Sequence, residues 1–213
     1  NQHDHNIVLN KFKKISTLIP GVGVNTNKLL KIISVRNNQD KKIVGVVGTF
    51  NSEKGYDDLI TVAKKFEGKI EFHCYGAGSY ISFKNKTEQR NIKNIKFIGF
   101  DNDAVTRISE FDLLLHPSRR EGLPVAVMEA MCLKTPIITT NIRGCRDLIE
   151  DKITGRLYEP GDTDTLIQLL NYFLKNNSDY FNYAEKAQVK CIKNYNAQKL
   201  AELIAQEVME IKL

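Results

Sequence analysis

The chain has 213 residues, 42% of them hydrophobic and 26% charged, with a formal net charge of +6. That is enough apolar material for one sizeable core and excludes disorder over most of the length, and no stretch reaches the roughly 20 consecutive apolar residues of a membrane span. The basic balance fits a phosphate-bearing ligand or weak contact with an anionic membrane surface; lysines scattered among glutamates, without the aromatic and basic signature of an RNA-binding motif, give no reason to expect nucleic acid.

In chain order, Asn1-Gln-His-Asp-His-Asn6 carries no signal-peptide pattern, so a cytoplasmic location is expected. His3 and His5 are spaced like ligands but fall in what reads as a terminal linker, residues 1–16, and no metal or cofactor is expected. Short β-branched runs at 43–47, 70–75, 95–98, 113–115 and 137–140 predict five strands. Helical-period segments follow each of them, at 55–66, 80–89, 103–110, 124–133 and 143–150. This alternation predicts an α/β, Rossmann-like parallel sheet with helices on both faces, whose ligands bind beyond the carboxyl ends of the strands. After Gly161 the pattern turns wholly helical, over 162–175, 178–194 and 197–212, the last with Leu200, Leu203, Ile204 and Val208 along one side.

Cys74, Cys132, Cys145 and Cys191 lie in or beside apolar runs without Cys-x-x-Cys spacing, which predicts reduced core residues. Two Asp-x-Asp strings, Asp101-Asn-Asp103 and Asp162-Thr-Asp164, fall at predicted helix starts and read as caps rather than metal ligands.

The stretch Ser118-Arg-Arg-Glu-Gly-Leu-Pro-Val-Ala-Val-Met-Glu129 carries the most chemistry. Pro124 sits where a helix takes its first residue, leaving free N–H groups near Gly122 to Val125 that attract anions, phosphate above all. Glu121 lies in the preceding loop and Glu129 about one and a half turns into the helix, so the two carboxylates can accept hydroxyls at opposite ends of one ligand. A pair of glutamates at this spacing is ordinarily a solvated helix face; the strand ahead and the flanking Gly122-Leu-Pro124 argue otherwise.

This arrangement resembles the Glu-x7-Glu motif of the family-4 retaining glycosyltransferases, which have the GT-B architecture of two facing Rossmann-like domains. The resemblance continues through Thr139-Thr-Asn-Ile-Arg-Gly-Cys-Arg-Asp-Leu-Ile149 and Thr154-Gly-Arg-Leu-Tyr-Glu-Pro-Gly-Asp162, and upstream through Val46-Val-Gly-Thr-Phe-Asn-Ser-Glu-Lys-Gly55. The wording Arg-Glu-Gly-Leu-Pro and Ile-Arg-Gly is similar to bacterial enzymes that build capsule or exopolysaccharide. Ile19-Pro-Gly-Val-Gly-Val24 resembles the entry to the second domain of such enzymes, so the chain reads as a hinge remnant (1–16), a donor-binding domain (17–195) and a helix (196–213) that would cross back to an absent amino-terminal domain.

The resemblance implies transfer of a sugar from a nucleotide-diphosphate donor, UDP-linked by expectation, to a glycan or lipid-linked acceptor held by the absent domain, with no metal. It implies that Glu121 contacts the donor sugar, Glu129 the ribose, and Lys54, in the loop of Gly48 and Thr49, the diphosphate together with the Gly122, Leu123 and Pro124 junction. Gly76 and Phe100 resemble the loops that enclose the base, although a tight turn and a core aromatic are equally ordinary readings, and His116 either approaches the diphosphate or fills the strand end, the second being preferred. The commonest family pattern has an Arg where this chain has Thr49. Another cation must substitute, Arg120 or preferably Arg143, or activity is weakened. The alternatives are a non-catalytic nucleotide-sugar-binding subunit, and an epimerase or hydrolase on the same architecture.

Overall fold

The computed structural model describes residues 21–33 and 40–211, with side chains through Gln206. The linker assigned to 1–16, with His3 and His5, lies outside the described residues. Six parallel strands form one sheet: β1 (Lys42–Val47), β2 (Ile70–Tyr75), β3 (Ile95–Gly99), β4 (Leu113–His116), β5 (Ile137–Thr140) and β6 (Arg156–Tyr158), in the order β3-β2-β1-β4-β5-β6. The helices are α1 (Thr26–Leu29), α2 (Tyr56–Ala63), α3 (Ile81–Gln89), α4 (Ala104–Glu110), α5 (Val125–Cys132), α6 (Arg143–Leu148), α7 (Thr163–Lys175), α8 (Asn177–Asn194) and α9 (Ala197–Ile211).

Both sheet faces are covered over the central strands, which is why β1 and β4 read as apolar runs, whereas β2 and β3 interleave Glu71, His73 and Lys96. Every residue of β4 is buried: Leu113 and Leu115 join Val44, Val46 and Phe72 under α2 and α7, whereas Leu114 joins Ile137 under α4, α5 and α8. Gly45 faces the second layer, where the Phe111 ring takes the space of a side chain; a Cβ there would lie 1.9 Å from Phe111 Cε2.

The five expected strands and eight expected helices are present, with ends displaced by a few residues at most. The helix expected over 55–66 stops at Ala63 and finishes as a 3₁₀ turn, Lys64–Phe66. Strand β6 has no counterpart in the sequence reading, because Arg-Leu-Tyr is too short and too mixed to stand out as a strand. The cap reading holds at Asp162, whose carboxylate accepts from Thr165 N at 3.0 Å, but not at Asp103, whose carboxylate takes the Thr106 hydroxyl at 2.7 Å and no backbone amide of the helix. The Asp103 amide donates to Asp101 Oδ1 at 2.8 Å, while Asp101 Oδ2 accepts from Arg107 at 3.1 Å. All four cysteines are buried and free.

The start of α9 is tied to the segment before α1, since Val24 N donates to Tyr195 O at 2.8 Å and Ala197 N donates to Val24 O at 3.0 Å. Of the apolar side expected on this helix, Leu200 is buried and Ile204 exposed, and the Val208 side chain lies outside the described residues. Among the described residues no helix is long and apolar enough to cross a membrane.

Filling the Gly45 gap should be costly. Gly45→Ala forces Phe111 or the strand to move and is expected to lower unfolding free energy by about 1–3 kcal/mol, read as a lower midpoint in urea with an unchanged slope.

Candidate functional site

The sheet order places β1 beside β4, where the chain reverses its direction of travel across the sheet; crossovers leaving these strands diverge to opposite faces and open a crevice at their carboxyl ends. After β1 the chain runs through Gly48 and Thr49 to Phe50, whose buried ring packs on Tyr56 with centroids 5.1 Å apart and on Tyr80 at 5.3 Å. Asn51 then caps a 3₁₀ turn, Ser52–Lys54, accepting from Lys54 N at 3.2 Å. The turn ends on Gly55 at φ 69°, where a Cβ would lie 1.9 Å from the Pro117 carbonyl oxygen. Only glycine permits this approach, and it seats the Lys54 turn on the loop that follows β4.

That second loop is fixed at nearly every residue. Thr139 Oγ1 donates to His116 O at 3.0 Å, Thr140 Oγ1 to Ser118 O at 2.5 Å, and Arg119 N to Glu53 O at 2.7 Å. The Arg119 guanidinium also meets Asp58 Oδ1 at 2.6 Å. The loop delivers Glu121 to the crevice and enters α5 behind Pro124, with no side chain capping the helix start. The amides of that first turn thus remain available to an anion. On the far side α6 presses against the loop: a Cβ on Gly144 would lie 2.1 Å from Gly122 O.

Three of these side chains converge. Glu121 Oε1 accepts from Lys54 Nζ at 2.5 Å and faces His116 Nε2 at 3.0 Å. Burial alone would raise the Glu121 carboxyl, but hydrogen bonds from His116 and Lys54 overcome it and hold the group down at about 2. Glu129, on the first turns of α5, has burial without such compensation and is pushed up to about 7. Both carboxylates border one cavity of about 340 Å³, with Gly48, Thr49, Lys54, His116, Pro124 and Val125. A larger groove of about 470 Å³ lies between α1, the end of α5 and α8, lined by Leu29, Leu133 and Phe181, away from the strand ends. The smaller cavity is the candidate site, because among the described residues it joins the strand ends, a helix start and buried charge.

The cavity therefore unites Gly48, Thr49, Lys54, Glu121, Pro124 and Glu129 of the residues singled out in the sequence. The others do not line it. Gly76 lies beneath its floor, where a Cβ would lie 1.8 Å from Gly48 O. Leu123 packs into the core at the foot of α5, and Gly122 supplies the carbonyl against α6. Phe100 is 71% exposed beyond edge strand β3, which corrects the core reading of that ring. The Arg120 side chain is 83% exposed and lies 4.0 Å from Glu53, and Arg143 is an exposed residue at the start of α6. Neither arginine stands in the cavity at the place left by Thr49, where Lys54 is the one Lys or Arg among the described lining residues. His116, read in the sequence as strand-end filler, is a lining residue bound to Glu121. Its signal was a polar residue closing an otherwise apolar buried strand. Among the described residues no group of three or more His, Cys, Asp or Glu is placed to hold a metal.

Residues 30–190 match the family model described as glycosyl transferases group 1. The chain is 28% identical over 170 residues to a poly(ribitol-phosphate) alpha-N-acetylglucosaminyltransferase of Staphylococcus aureus, covering 77% of this chain and 34% of that protein. It is 27% identical over 189 residues to the amylovoran biosynthesis glycosyltransferase AmsK of Erwinia amylovora, covering 82% and 44%. Among solved structures, it superposes with a TM-score of 0.73 and 27% identity on a mutant of S. aureus TarM in complex with fondaparinux, alpha-GlcNAc-glycerol and UDP, covering 81% of this chain and 36% of that one. The chain thus spans about a third to a half of the length of these relatives. With a six-stranded Rossmann-like sheet of the GT-B kind and a family match over most of its length, the chain belongs to the group 1 glycosyl transferases.

Proposed function

We propose that this chain is the donor-binding half of a retaining glycosyltransferase that takes a nucleotide-diphosphate sugar, UDP-linked, and passes the sugar to a glycan or lipid-linked acceptor in surface polysaccharide synthesis. The observation that carries the reading is the pair Glu121 and Glu129 at two sides of one cavity, with the Lys54 ammonium beside the first. The relatives named above, one solved with UDP and one assigned to amylovoran biosynthesis, support the donor and the pathway class.

In this reading the diphosphate lies on the start of α5 and takes Lys54, whose compact charge offsets the negative charge of the leaving group. Glu121, ionised at any physiological pH, cannot serve as a general acid; it accepts hydrogen bonds from the donor sugar's hydroxyls. Glu129 accepts from the ribose. The acceptor oxygen bonds to the anomeric carbon on the face that the diphosphate leaves, the bond from that carbon to the β-phosphate oxygen breaks, and the acceptor's proton passes to the departing phosphate. The acceptor pocket belongs to a further domain that closes over the donor and excludes water. The enzyme acts in the cytoplasm, at the inner face of the membrane, where its basic charge favours anionic lipid. Thr49 favours one second reading, a subunit that binds nucleotide sugar without transfer, because it replaces the second cation of the commonest family pattern and Lys54 is the one Lys or Arg among the described lining residues.

Calorimetric titration of the chain with UDP, GDP and ADP should show UDP bound most tightly, and at least tenfold weaker in Glu129→Ala, about 1.4 kcal/mol. Absence of UDP binding, or binding indifferent to that substitution, would sink the reading. A pH dependence follows from Glu129, whose pKa stands at about 7 instead of 4.5, so the accepting carboxylate is the major form only above that pH. The affinity ratio of wild type to Glu129→Ala, in which titration of the phosphates cancels, should grow about tenfold from pH 6 to pH 8.

A further inference from the structure

We propose that His116 is a positioning residue for Glu121: its Nε2–H donates to Glu121 Oε1 and keeps that carboxylate aimed into the cavity when a donor diphosphate draws Lys54 away. The proposal rests on the donor-site reading above and adds to it a residue that the sequence reading had left as filler.

The geometry gives Glu121 two partners on one oxygen, and the two differ in mobility. Lys54 reaches it on a flexible four-carbon stem from a short 3₁₀ turn. His116 is 4% exposed, stands at the end of β4 in register with Thr139 of β5, and has its carbonyl held by the Thr139 hydroxyl. Its ring is fixed by two torsions and by packing, so holding it in place costs little further entropy. Lys54 can turn to a phosphate, and His116 cannot leave.

The chemistry makes the second partner necessary. Beyond His116 and Lys54, Glu121 has the Ser118 hydroxyl as a lesser donor, whereas Glu129 on α5 and the Cys145 thiol of α6, which burial pushes up to about 11 and so leaves neutral, cannot stabilise a carboxylate. With Lys54 engaged elsewhere and no His116, burial would drive Glu121 toward its protonated form. A protonated carboxyl donates where the sugar hydroxyls need an acceptor, so the contact with the donor would be inverted. A buried histidine at the end of an apolar strand also needs its own hydrogen-bond partner, and Glu121 supplies it.

The test is nuclear magnetic resonance on the isotope-labelled chain, without ligand. In wild type the His116 Nε2 should carry a proton; an unprotonated Nε2 overturns the proposal, and this reading needs no variant. The Glu121 side-chain carboxyl is then titrated in Lys54→Met, which imitates the loss of Lys54 to a phosphate, and in the same chain with His116→Phe or His116→Gln added. The midpoint should rise by about one unit or more when Phe is added, and much of that rise should be reversed by Gln, whose amide can donate from nearly the same place. A midpoint unmoved by Phe overturns the proposal, as does a Gln variant that behaves like Phe. Because every measurement is made on the free protein, failure of the chain to bind UDP would count against the proposed function and not against this inference.

Discussion

A carboxylate taken out of water costs several kcal/mol unless charge and hydrogen bonds replace its hydration, and the carboxyl end of this sheet is organised around that requirement at Glu121. Its two main partners come from different places, Lys54 from the turn after β1 and His116 from the end of β4. They meet on one oxygen only because the two loops are locked together. Glycine at position 55 lets backbone touch backbone, and the Glu53 carbonyl takes the Arg119 amide. The paired threonines of β5 hold the β4 exit from the other side. Arg119 adds an ion pair to Asp58, a buried group on α2. The sheet order is the remote cause, since it makes β1 and β4 neighbours although two strands and three crossovers separate them in the chain.

The same principle, applied with opposite result, distinguishes the second carboxylate. Glu129 sits eight positions later, on the rigid turns of α5, and has burial without donors. One group is held at about 2 and the other near 7, so two chemically identical side chains differ by several units through their surroundings alone. Glu121 is a fixed acceptor, whereas Glu129 changes state in the physiological range. Such divergence within one cavity is a mark of a functional site rather than of packing, because a packed core has no use for either charge.

The sequence made the architecture legible where one periodicity ruled a long enough stretch. The runs around Val44 and Leu114 are buried on both faces and can hardly be read otherwise, the run around Phe72 alternates buried and half-buried residues, and the amphipathic repeat over Thr163–Lys175 is equally plain. Strand β6 escaped because three mixed residues carry no period, and Asp103 did not cap because its carboxylate had a hydroxyl to accept from instead. In the site, the residues that could be placed were those whose relation is local: Glu121 and Glu129 span one loop-to-helix junction, and Lys54 lies in the short loop that leaves β1. What could not be read were the contacts set by loop closure. The bond between His116 and Glu121 depends on how the chain turns between them, and the exclusion of Arg120 and Arg143 from the cavity depends on where α5 and α6 point.

Cavity size adds a constraint on how a donor would lie. About 340 Å³ is near the lower end for small-molecule sites, enough for a sugar and its phosphates but not for an entire nucleotide sugar in addition. The base must then extend over neighbouring strand ends, and the sheet offers a direction. The loop that leaves β1 at Gly48 lies directly on Gly76 at the end of β2, and beyond it Phe50, Tyr80 and Phe97 form an aromatic cluster beside β3. That cluster is spent on holding the loop, with Tyr80 and Phe97 stacked at 5.7 Å, so it fixes the floor on which a base would rest without supplying a free ring. Phe100, exposed one residue past β3, is the ring at that edge not already committed to the cluster. On the proposed function, selectivity among bases would fall to the loops after β2 and β3, while the carboxylates and Lys54 would act on the parts that all nucleotide sugars share.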